Sequence, residues 1–461
     1  MKVLLISPSS STVYGQYIDP PYPPLGLLYI AAVLEKDNEV KVVDYDADKM
    51  NDEKLRDIFN SFKPDLIGLT ASTANINSAR QIASLAKESN IKTLLGGLHA
   101  TMMPEECMNY GCFDFIVKGE GEITIPLIVE NLDKDEFDID GMWYKKDGEI
   151  IKNKDRPYIQ DLDSLPFPAR HLLENPDVYT PPDAIEQPVT PIMTSRGCPS
   201  RCTYCCTKHI LGQEFRSRSP KNAVDEIEHL IKEYGIKEIH IMDDVFTYDK
   251  QRVFEFRDEV KRRDINVNFV FANGLRADQV DKERLEALKD LGVISIGCGV
   301  ESGNQQILNN IRKDIRIDRV REAYKMAQEM GFQTWGFFIL GLPGDNDQTI
   351  KETIKFAKEL DVDFAKFLTL TPYPNSNIFH QLEEENLIDN KDYDNYGVYT
   401  APVHHLKDLS AEDIIKWQKK AYRQFYLRPR KILQHLARMK SFTQLKYNLK
   451  SAKFILGMMK S

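Results

Sequence analysis

The first 132 residues alternate short, continuous apolar runs with stretches whose apolar positions recur every three or four residues. KVLLISP, EVKVVDYDA, DLIGLTAS, KTLLGGLH and FDFIVKG predict strands. GLLYIAAVLEK, DEKLRDIFNSF, NSARQIASLAKES, a short piece near Pro104 and EITIPLIVENL predict helices. A strand that is apolar on both sides needs cover on both faces. These five βα units therefore predict a parallel, doubly wound, flavodoxin-like (Rossmann-type) α/β domain over residues 1–132. Residues 133–188 break the pattern with Asp- and Pro-rich sequence and predict a linker with one hairpin at GMWYKKDGEIIKN. Alternation resumes at Val189, and six more βα units over 189–395 predict a partial (β/α)6 TIM-like barrel. Residues 396–461 predict a helical, basic C-terminal region, where Leu445, Leu449, Ala452, Leu456 and Met459 share one face.

Composition adds constraints. The chain of 461 residues has 42% hydrophobic content, enough for about three domains. A net charge of −9 argues against a nucleic-acid partner. The charge is uneven: no Asp or Glu follows Asp413, so the tail is strongly basic. Such a tail either packs its apolar stripe on the barrel or meets an acidic membrane surface or a lipid substrate. With no leader-like start and no apolar run of about 20 residues, the expected location is cytoplasmic, with the inner face of the membrane as the alternative site of contact. Four of the seven cysteines lie within nine residues, which points to metal or redox chemistry rather than a disulfide framework.

Ligands of doubly wound and barrel folds sit at the carboxyl ends of strands. In the front domain those ends carry Thr70, Ser72, Thr73, Gly96, Gly97, His99, Gly119, Glu120 and Gly121. Glycines admit close backbone approach, and hydroxyls and amides hold phosphate or amide groups. No G-x-G-x-x-G follows the first strand, which disfavours a dinucleotide.

The cysteine cluster, TSRGCPSRCTYCCTKH, follows the first barrel strand. Cys198, Cys202 and Cys205 form C-x3-C-x2-C. Three thiolates can bind three irons of a [4Fe-4S] cluster and leave the fourth open to a substrate or cofactor. Zinc closed by Cys206 or His209 is the competing reading. The mouth of a half-open barrel favours iron–sulfur, with Cys206 and His209 as neighbours.

RGCPSRCTYCC, with Tyr204 before the third cysteine, resembles the signature of the radical S-adenosylmethionine (SAM) superfamily, and the six-unit barrel is similar to that family's. The resemblance implies that the open iron chelates S-adenosyl-L-methionine, which the reduced cluster cleaves to a 5′-deoxyadenosyl radical. It also implies SAM contacts from Tyr204, from Asp243 or Asp244 in MDDVFT, from Arg276 in ANGLRAD, from Glu301 in GCGVESG and from Gly341, Pro343 and Gly344 in FFILGLPGD. The family often has Gly-Gly-Glu where this chain has Met242-Asp243-Asp244, so which acid acts stays open. Helix capping is the ordinary alternative for Asp243 and Asp244, and a surface ion pair for Arg276.

A flavodoxin-like domain before such a barrel resembles the cobalamin-binding radical SAM enzymes. PPYPPLGLLYIAAVLE, GGLHAT, VKGEGE and AYRQFYLRPR carry that resemblance over nearly the whole chain. It is nearest the branch of the anaerobic protoporphyrin-ester cyclase and the hopanoid-modifying enzymes. It implies cobalamin on the front-domain strand ends, an oxygen-sensitive methylating, cyclising or rearranging enzyme, a large or lipid-like small-molecule substrate, and reduced ferredoxin or flavodoxin as electron donor. The chain lacks D-x-H-x-x-G, since position 97 is Gly, so His99 is not expected to ligate cobalt. A front domain that no longer binds cobalamin and a zinc-stabilised scaffold are the rivals. Cys107, Cys112 and Cys298 read as packing residues.

Overall fold

The computed structural model describes residues 1–14, 21–134, 137–181 and 184–437. The apolar stripe expected at Leu445–Met459 lies outside the described residues.

The front domain is a seven-stranded sheet in the order β2-β1-β3-β4-β5-β6-β7. Its parallel strands are β1 (Lys2–Ser7), β2 (Glu39–Asp44), β3 (Leu66–Thr70), β4 (Lys92–Gly96) and β5 (Phe115–Val117). Alternation in β1 builds two cores. Val3 and Leu5 pack under the helices of one face, and Leu4 and Ile6 under those of the other. That two-sided burial is why β1 reads as an unbroken apolar run. The expected hairpin is β6 (Met142–Lys146) and β7 (Glu149–Lys152), turned by Asp147 and Gly148 at φ 51° and 86°. It pairs antiparallel with β5, so it extends the front-domain sheet and is not a free linker element.

The second domain has six parallel strands: β8 (Val189–Ile192), β11 (Glu238–Ile241), β12 (Asn268–Phe271), β13 (Ser295–Glu301), β14 (Gln333–Leu340) and β15 (Phe364–Thr369). Between β8 and β11 run the short strands β9 (Ser195–Arg196) and β10 (Arg216–Ser217), paired antiparallel. β8, β11 and β12 form one group and β13, β14 and β15 another, joined by parallel bridges Phe269–Val293 and Leu275–Cys298. The six predicted strand–helix units are all present in this open wall.

An open wall leaves edges. At β15 the helix Ala411–Tyr426 covers the edge with residues four apart. Gln418 donates to the Phe367 carbonyl, Tyr422 accepts from the Phe367 N–H, and Tyr426 bonds both backbone groups of Ala365. Three side chains thus stand in for a seventh strand. Residues 396–410, expected to be helical, instead form an irregular segment that follows a short turn at Tyr393–Asn395. This segment crosses to the front domain. The Val398 N–H bonds the Val13 carbonyl, and Tyr396 and Val403 pack on Ala74.

Candidate active site

The paired strands β9 and β10 set the base of the cysteine loop. Gly197 opens the loop at φ 87°, and a Cβ there would run into the Glu214 carbonyl, so only glycine fits. The Cys198 N–H bonds the Gly212 carbonyl, and Thr203 is held on both sides by Ile311 and Ile378. Cys198 and Cys205 are half-buried and Cys202 and Cys206 buried. Burial pushes the Cys202 thiol up, and Lys313 and Arg276 pull it back. Burial also raises Cys205, against bonds from Thr207. Among the described residues, no three His, Cys, Asp or Glu side chains converge on the position of a single ion. A tetrahedral zinc site draws four ligands to within about 2.3 Å of one point. Thiols spaced along an eight-residue loop beside two cations suit a polynuclear cluster that takes one thiolate per iron.

Around this loop the structure gathers Tyr204, Asp243, Asp244, Arg276 and Glu301, but in different states. Asp243 is 3% exposed and saturated: it accepts from the Thr194 N–H and from the Thr194 and Ser195 hydroxyls, each at 2.6 Å. It clasps the end of β8. Asp244 has one weak bond, from the Thr207 hydroxyl at 3.3 Å, and its Oδ2 is buried without a partner. Burial, then the neighbouring Asp243, raises its carboxyl to about 6. An orphaned buried oxygen costs about 1–3 kcal/mol unless a ligand satisfies it. Asp244 therefore fits a cationic ligand group, and Asp243 does not.

Glu301 ends β13 after a bulge, at φ 61°, a conformation side chains rarely adopt. Its Oε1 accepts from Lys313 Nζ at 2.6 Å and from the Tyr204 hydroxyl at 2.9 Å. A Cβ at Gly299 would overlap this carboxylate, so glycine at that position makes the room. Burial pulls the Lys313 ammonium down, but Glu301 and Cys202 outweigh it and hold it above its usual value. Sequence reasoning missed Lys313. It belongs to no motif, and only its place twelve residues past Glu301 brings it beside the cysteines. Arg276 bonds the Ser200 hydroxyl and the Lys313 carbonyl, and forks onto the Asp278 carboxylate with two bonds of 3.1 Å. Both cations beside the cysteines therefore already carry a carboxylate partner, Glu301 for Lys313 and Asp278 for Arg276.

The Gly341 loop is more enclosed than expected. Asp345 accepts from the Gly341 and Leu342 N–H groups, and His404 Nε2 lies 2.9 Å from the Gly341 carbonyl. Pro343 gives its carbonyl to Asn310, and Gly344 packs against Asn310 and Ile307. Both polar backbone groups of Gly341 are spent within the protein. Cys206 is buried, with its thiol pushed up by burial to about 12, and burial, then Lys208, pulls the His209 imidazole down.

In the front domain Thr70, Ser72, Thr73, Gly96, Gly97 and His99 meet at the carboxyl ends of β3 and β4. His99 is fully buried; Nδ1 lies 3.2 Å from the Thr73 hydroxyl, the ring packs edge-on against Tyr393, and Nε2 has no partner. Gly97 approaches Ala71 and Thr70 so closely that a Cβ would clash with both. An orphaned imidazole nitrogen beside hydroxyls and a glycine turn suits the amide-rich rim of a cofactor such as cobalamin.

Glu120 has another task. It bonds Arg196 Nη1 at 2.9 Å and Arg216 Nη1 at 3.0 Å, and accepts the Ile159 N–H, while Glu122 bonds Arg196 Nη2 at 2.6 Å. All four side chains are less than one-tenth exposed. Arg196 and Arg216 face each other across β9 and β10. This buried cluster therefore ties the Gly119–Glu122 turn directly to the base of the cysteine loop. Gly121 is a packing position against Ile30 and Ile125, and the Gly119 N–H bonds Thr101.

Among the described residues no helix is long and apolar enough to cross a membrane. The Radical SAM superfamily model matches residues 192–357, and the B12 binding domain model matches residues 11–129. An uncharacterized methyltransferase of Pyrococcus horikoshii is 33% identical over 95% of both chains. The cytidylyl-2-hydroxyethylphosphonate methyltransferase of Streptomyces wedmorensis is 29% identical, over 84% of this chain and 83% of its own. The anaerobic magnesium-protoporphyrin IX monomethyl ester cyclase of Rubrivivax gelatinosus is 29% identical over 93% of this chain and 78% of its own. Among solved structures, the radical SAM methyltransferase TsrM of Kitasatospora setae superposes with a TM-score of 0.70 at 18% identity, covering 83% of this chain and 78% of that one. OxsB, a cobalamin-dependent SAM radical enzyme, gives 0.75 at 19% identity, over 97% and 72%. These structures share the two-domain fold. The chain belongs to the cobalamin-binding radical SAM family, as an enzyme whose cofactors are a [4Fe-4S] cluster, SAM and cobalamin.

Proposed function

We propose that the protein methylates an unactivated carbon of a large, apolar or lipid-like small molecule. One observation carries the use of two cofactors in one reaction. The Glu120–Glu122–Arg196–Arg216 cluster joins the strand-end turn of the front domain to the cysteine loop, so the two cofactor edges are held as one unit. When bound, the cluster and SAM supply a 5′-deoxyadenosyl radical and cobalamin supplies the methyl group.

The chain's own residues bind and orient. Cys198, Cys202 and Cys205 hold the cluster. Asp244 receives the SAM ammonium at its unpartnered Oδ2, and Arg276 receives the carboxylate beside its pair with Asp278, with Lys313 held on Glu301. Glu301, fixed by Tyr204 and Lys313, accepts from the ribose hydroxyls. Gly344 offers the adenine-side contact more readily than Gly341 or Pro343, whose carbonyls are already engaged. Thr70, Ser72, Thr73, Gly96, Gly97 and His99 line the cobalamin edge, with His99 in its rim and not on cobalt.

Two of the relatives named above are methyltransferases, which supports methyl transfer. The cyclase relative supports a second reading, in which the substrate radical is cyclised or rearranged. Anaerobic reconstitution with SAM, cobalamin and a low-potential reductant separates the two. S-adenosylhomocysteine formed beside 5′-deoxyadenosine supports methylation, and 5′-deoxyadenosine alone overturns it. We place the enzyme in the cytoplasm, reduced by ferredoxin or flavodoxin; for its basic tail, contact with an acidic membrane surface is the second reading, after packing on the barrel. Unchanged liposome pelleting after tail lysines are replaced would remove that second reading.

A further inference from the structure

The inner face of β13, β14 and β15 is unusual for a barrel. Such interiors are ordinarily packed full of branched side chains. Along β14 the outward positions Phe338 and Leu340 are fully buried under helices. The inward positions Gln333, Trp335, Phe337 and Ile339 remain part-exposed, as do Phe364, Lys366 and Leu368 on β15. Solvent therefore reaches the inside of this wall. The facing positions of β13 are Gly297 and Gly299, in register with Trp335 and Phe337. The Phe337 ring covers Gly297 and the Glu301 carboxylate and Lys313 cover Gly299, so the surface this wall leaves to solvent is the part-exposed Trp335, Phe337 and Ile339 and the facing side chains of β15.

The chemistry of the wall is specific. Trp335 stacks on Phe364, with centroids 4.3 Å apart and planes 19° apart. The indole N–H is already satisfied by Gln333 at 3.2 Å, so the part-exposed indole offers only the ring surface that Phe364 leaves uncovered. The Lys366 ammonium sits 5.3 Å from the Trp335 ring and 5.5 Å from the Phe337 ring. Among the described residues no carboxylate lies within ion-pair distance of it. A cation parked on aromatic faces lacks a counter-ion, and in a chain of net charge −9 it marks a local site for an anion. Glu301, which shares the Gly299 position with Phe337, places this wall next to the SAM residues.

We propose that this wall binds the substrate, and that the substrate is a ring-bearing apolar molecule with a carboxylate. Rings pack on the exposed surface of Trp335 and Phe337, and Lys366 pairs with the acid. This deepens the functional reading above and rests on it for the position of the reaction.

The test uses the full chain, anaerobically reconstituted with iron and sulfide, and a matched probe pair, 1-pyrenebutyrate and its methyl ester, titrated by pyrene fluorescence anisotropy. The acid is expected to bind about tenfold tighter than the ester, the value of one charge-assisted contact. Lys366→Met should erase that preference, Lys366→Arg should keep it, and Trp335→Leu should weaken both probes. Melting curves establish that each variant folds. Equal binding of acid and ester, a preference surviving in Lys366→Met, or unchanged binding in Trp335→Leu would each overturn the proposal. SAM cleavage by the same wild-type preparation is measured separately, so a failure of the cofactor reading is told apart from a failure of the wall.

Discussion

Lys313 Nζ lies 2.6 Å from Glu301 Oε1, and both side chains are less than one-tenth exposed. The pair is a structural lock and a ligand platform together. Lys313→Met leaves Glu301 as an uncompensated buried charge, at a cost of about 3–5 kcal/mol. Adding Glu301→Gln to that variant should recover part of the loss. Denaturant unfolding of the two single variants and the double measures the coupling. SAM affinity, read by calorimetry, should fall in all three variants and not return in the double. Recovery of stability without recovery of affinity separates the two roles.

Asp243 and Asp244 are adjacent in sequence and opposite in circumstance. Asp243→Asn disturbs three bonds that clasp β8, so its melting temperature should fall while SAM affinity in the folded fraction is largely kept. Asp244→Asn removes a carboxyl whose Oδ2 has no partner, so stability should hold or rise. Its SAM KM should rise about tenfold or more, the loss of a charge-assisted bond. The reverse pattern would exchange their roles.

Serine at Cys202 should abolish SAM cleavage and lower iron and sulfide content, whereas serine at Cys206 should leave both nearly as they were. Cys206 is a buried packing residue outside the C-x3-C-x2-C triplet. Iron analysis and 5′-deoxyadenosine yield on the same samples decide the matter. Loss of iron in Cys206→Ser would return it to the ligand set.

Glu120 tests how the domains are joined. Glu120→Gln leaves Arg196 with Glu122 alone and Arg216 without its carboxylate. Removing one partner from such a buried network costs about 3–5 kcal/mol. Unfolding should shift to lower denaturant, and iron and cobalamin retention should fall together, because the lost contact supports both loops. Loss of cobalamin alone, with the unfolding midpoint unchanged, would instead mean that Glu120 touches the cofactor.

Much of this was legible in the sequence, for physical reasons. Strands buried on both faces leave unbroken apolar runs such as Val3–Ile6, and helices that cover them leave three-to-four spacing, so both domains could be read in order. C-x3-C-x2-C is local, so its spacing raises an iron–sulfur cluster beside zinc, and the resemblance of RGCPSRCTYCC to the radical SAM signature adds the SAM chemistry. What could not be read depends on distance or direction. Glu120 meets Arg196 across 76 residues, and no local pattern records that pairing. Asp243 and Asp244 are equivalent as letters, and only the backbone at the end of β11 decides which is spent on Thr194. The hairpin at Met142–Lys152 was visible as a hairpin, but nothing in its alternation says which sheet edge it joins. The segment 396–410 has neither period, and its place over the front domain is set by contacts with Val13 and Ala74.

His99 gives the chain a pH signature. Burial lowers its imidazole from the ordinary 6.5 to about 4, against a smaller opposite pull from Glu106. The unfolded chain therefore takes up a proton near pH 6.5 that the folded chain refuses until about pH 4. Stability from this group is complete above pH 6.5 and is lost as the pH falls, by up to about 3 kcal/mol. The groups facing the ring are Thr73, Tyr393 and Glu106. His99→Gln keeps a side chain that can bond Thr73 but cannot take up a proton. Its melting temperature should drop less than the wild type's between pH 7 and pH 4.5, with other titrating groups cancelling in the comparison. Added cobalamin should raise the wild-type melting temperature at both pH values by satisfying Nε2, and His99→Gln should reduce that rise. Parallel pH curves for the two proteins would mean that the imidazole is not held neutral in the fold.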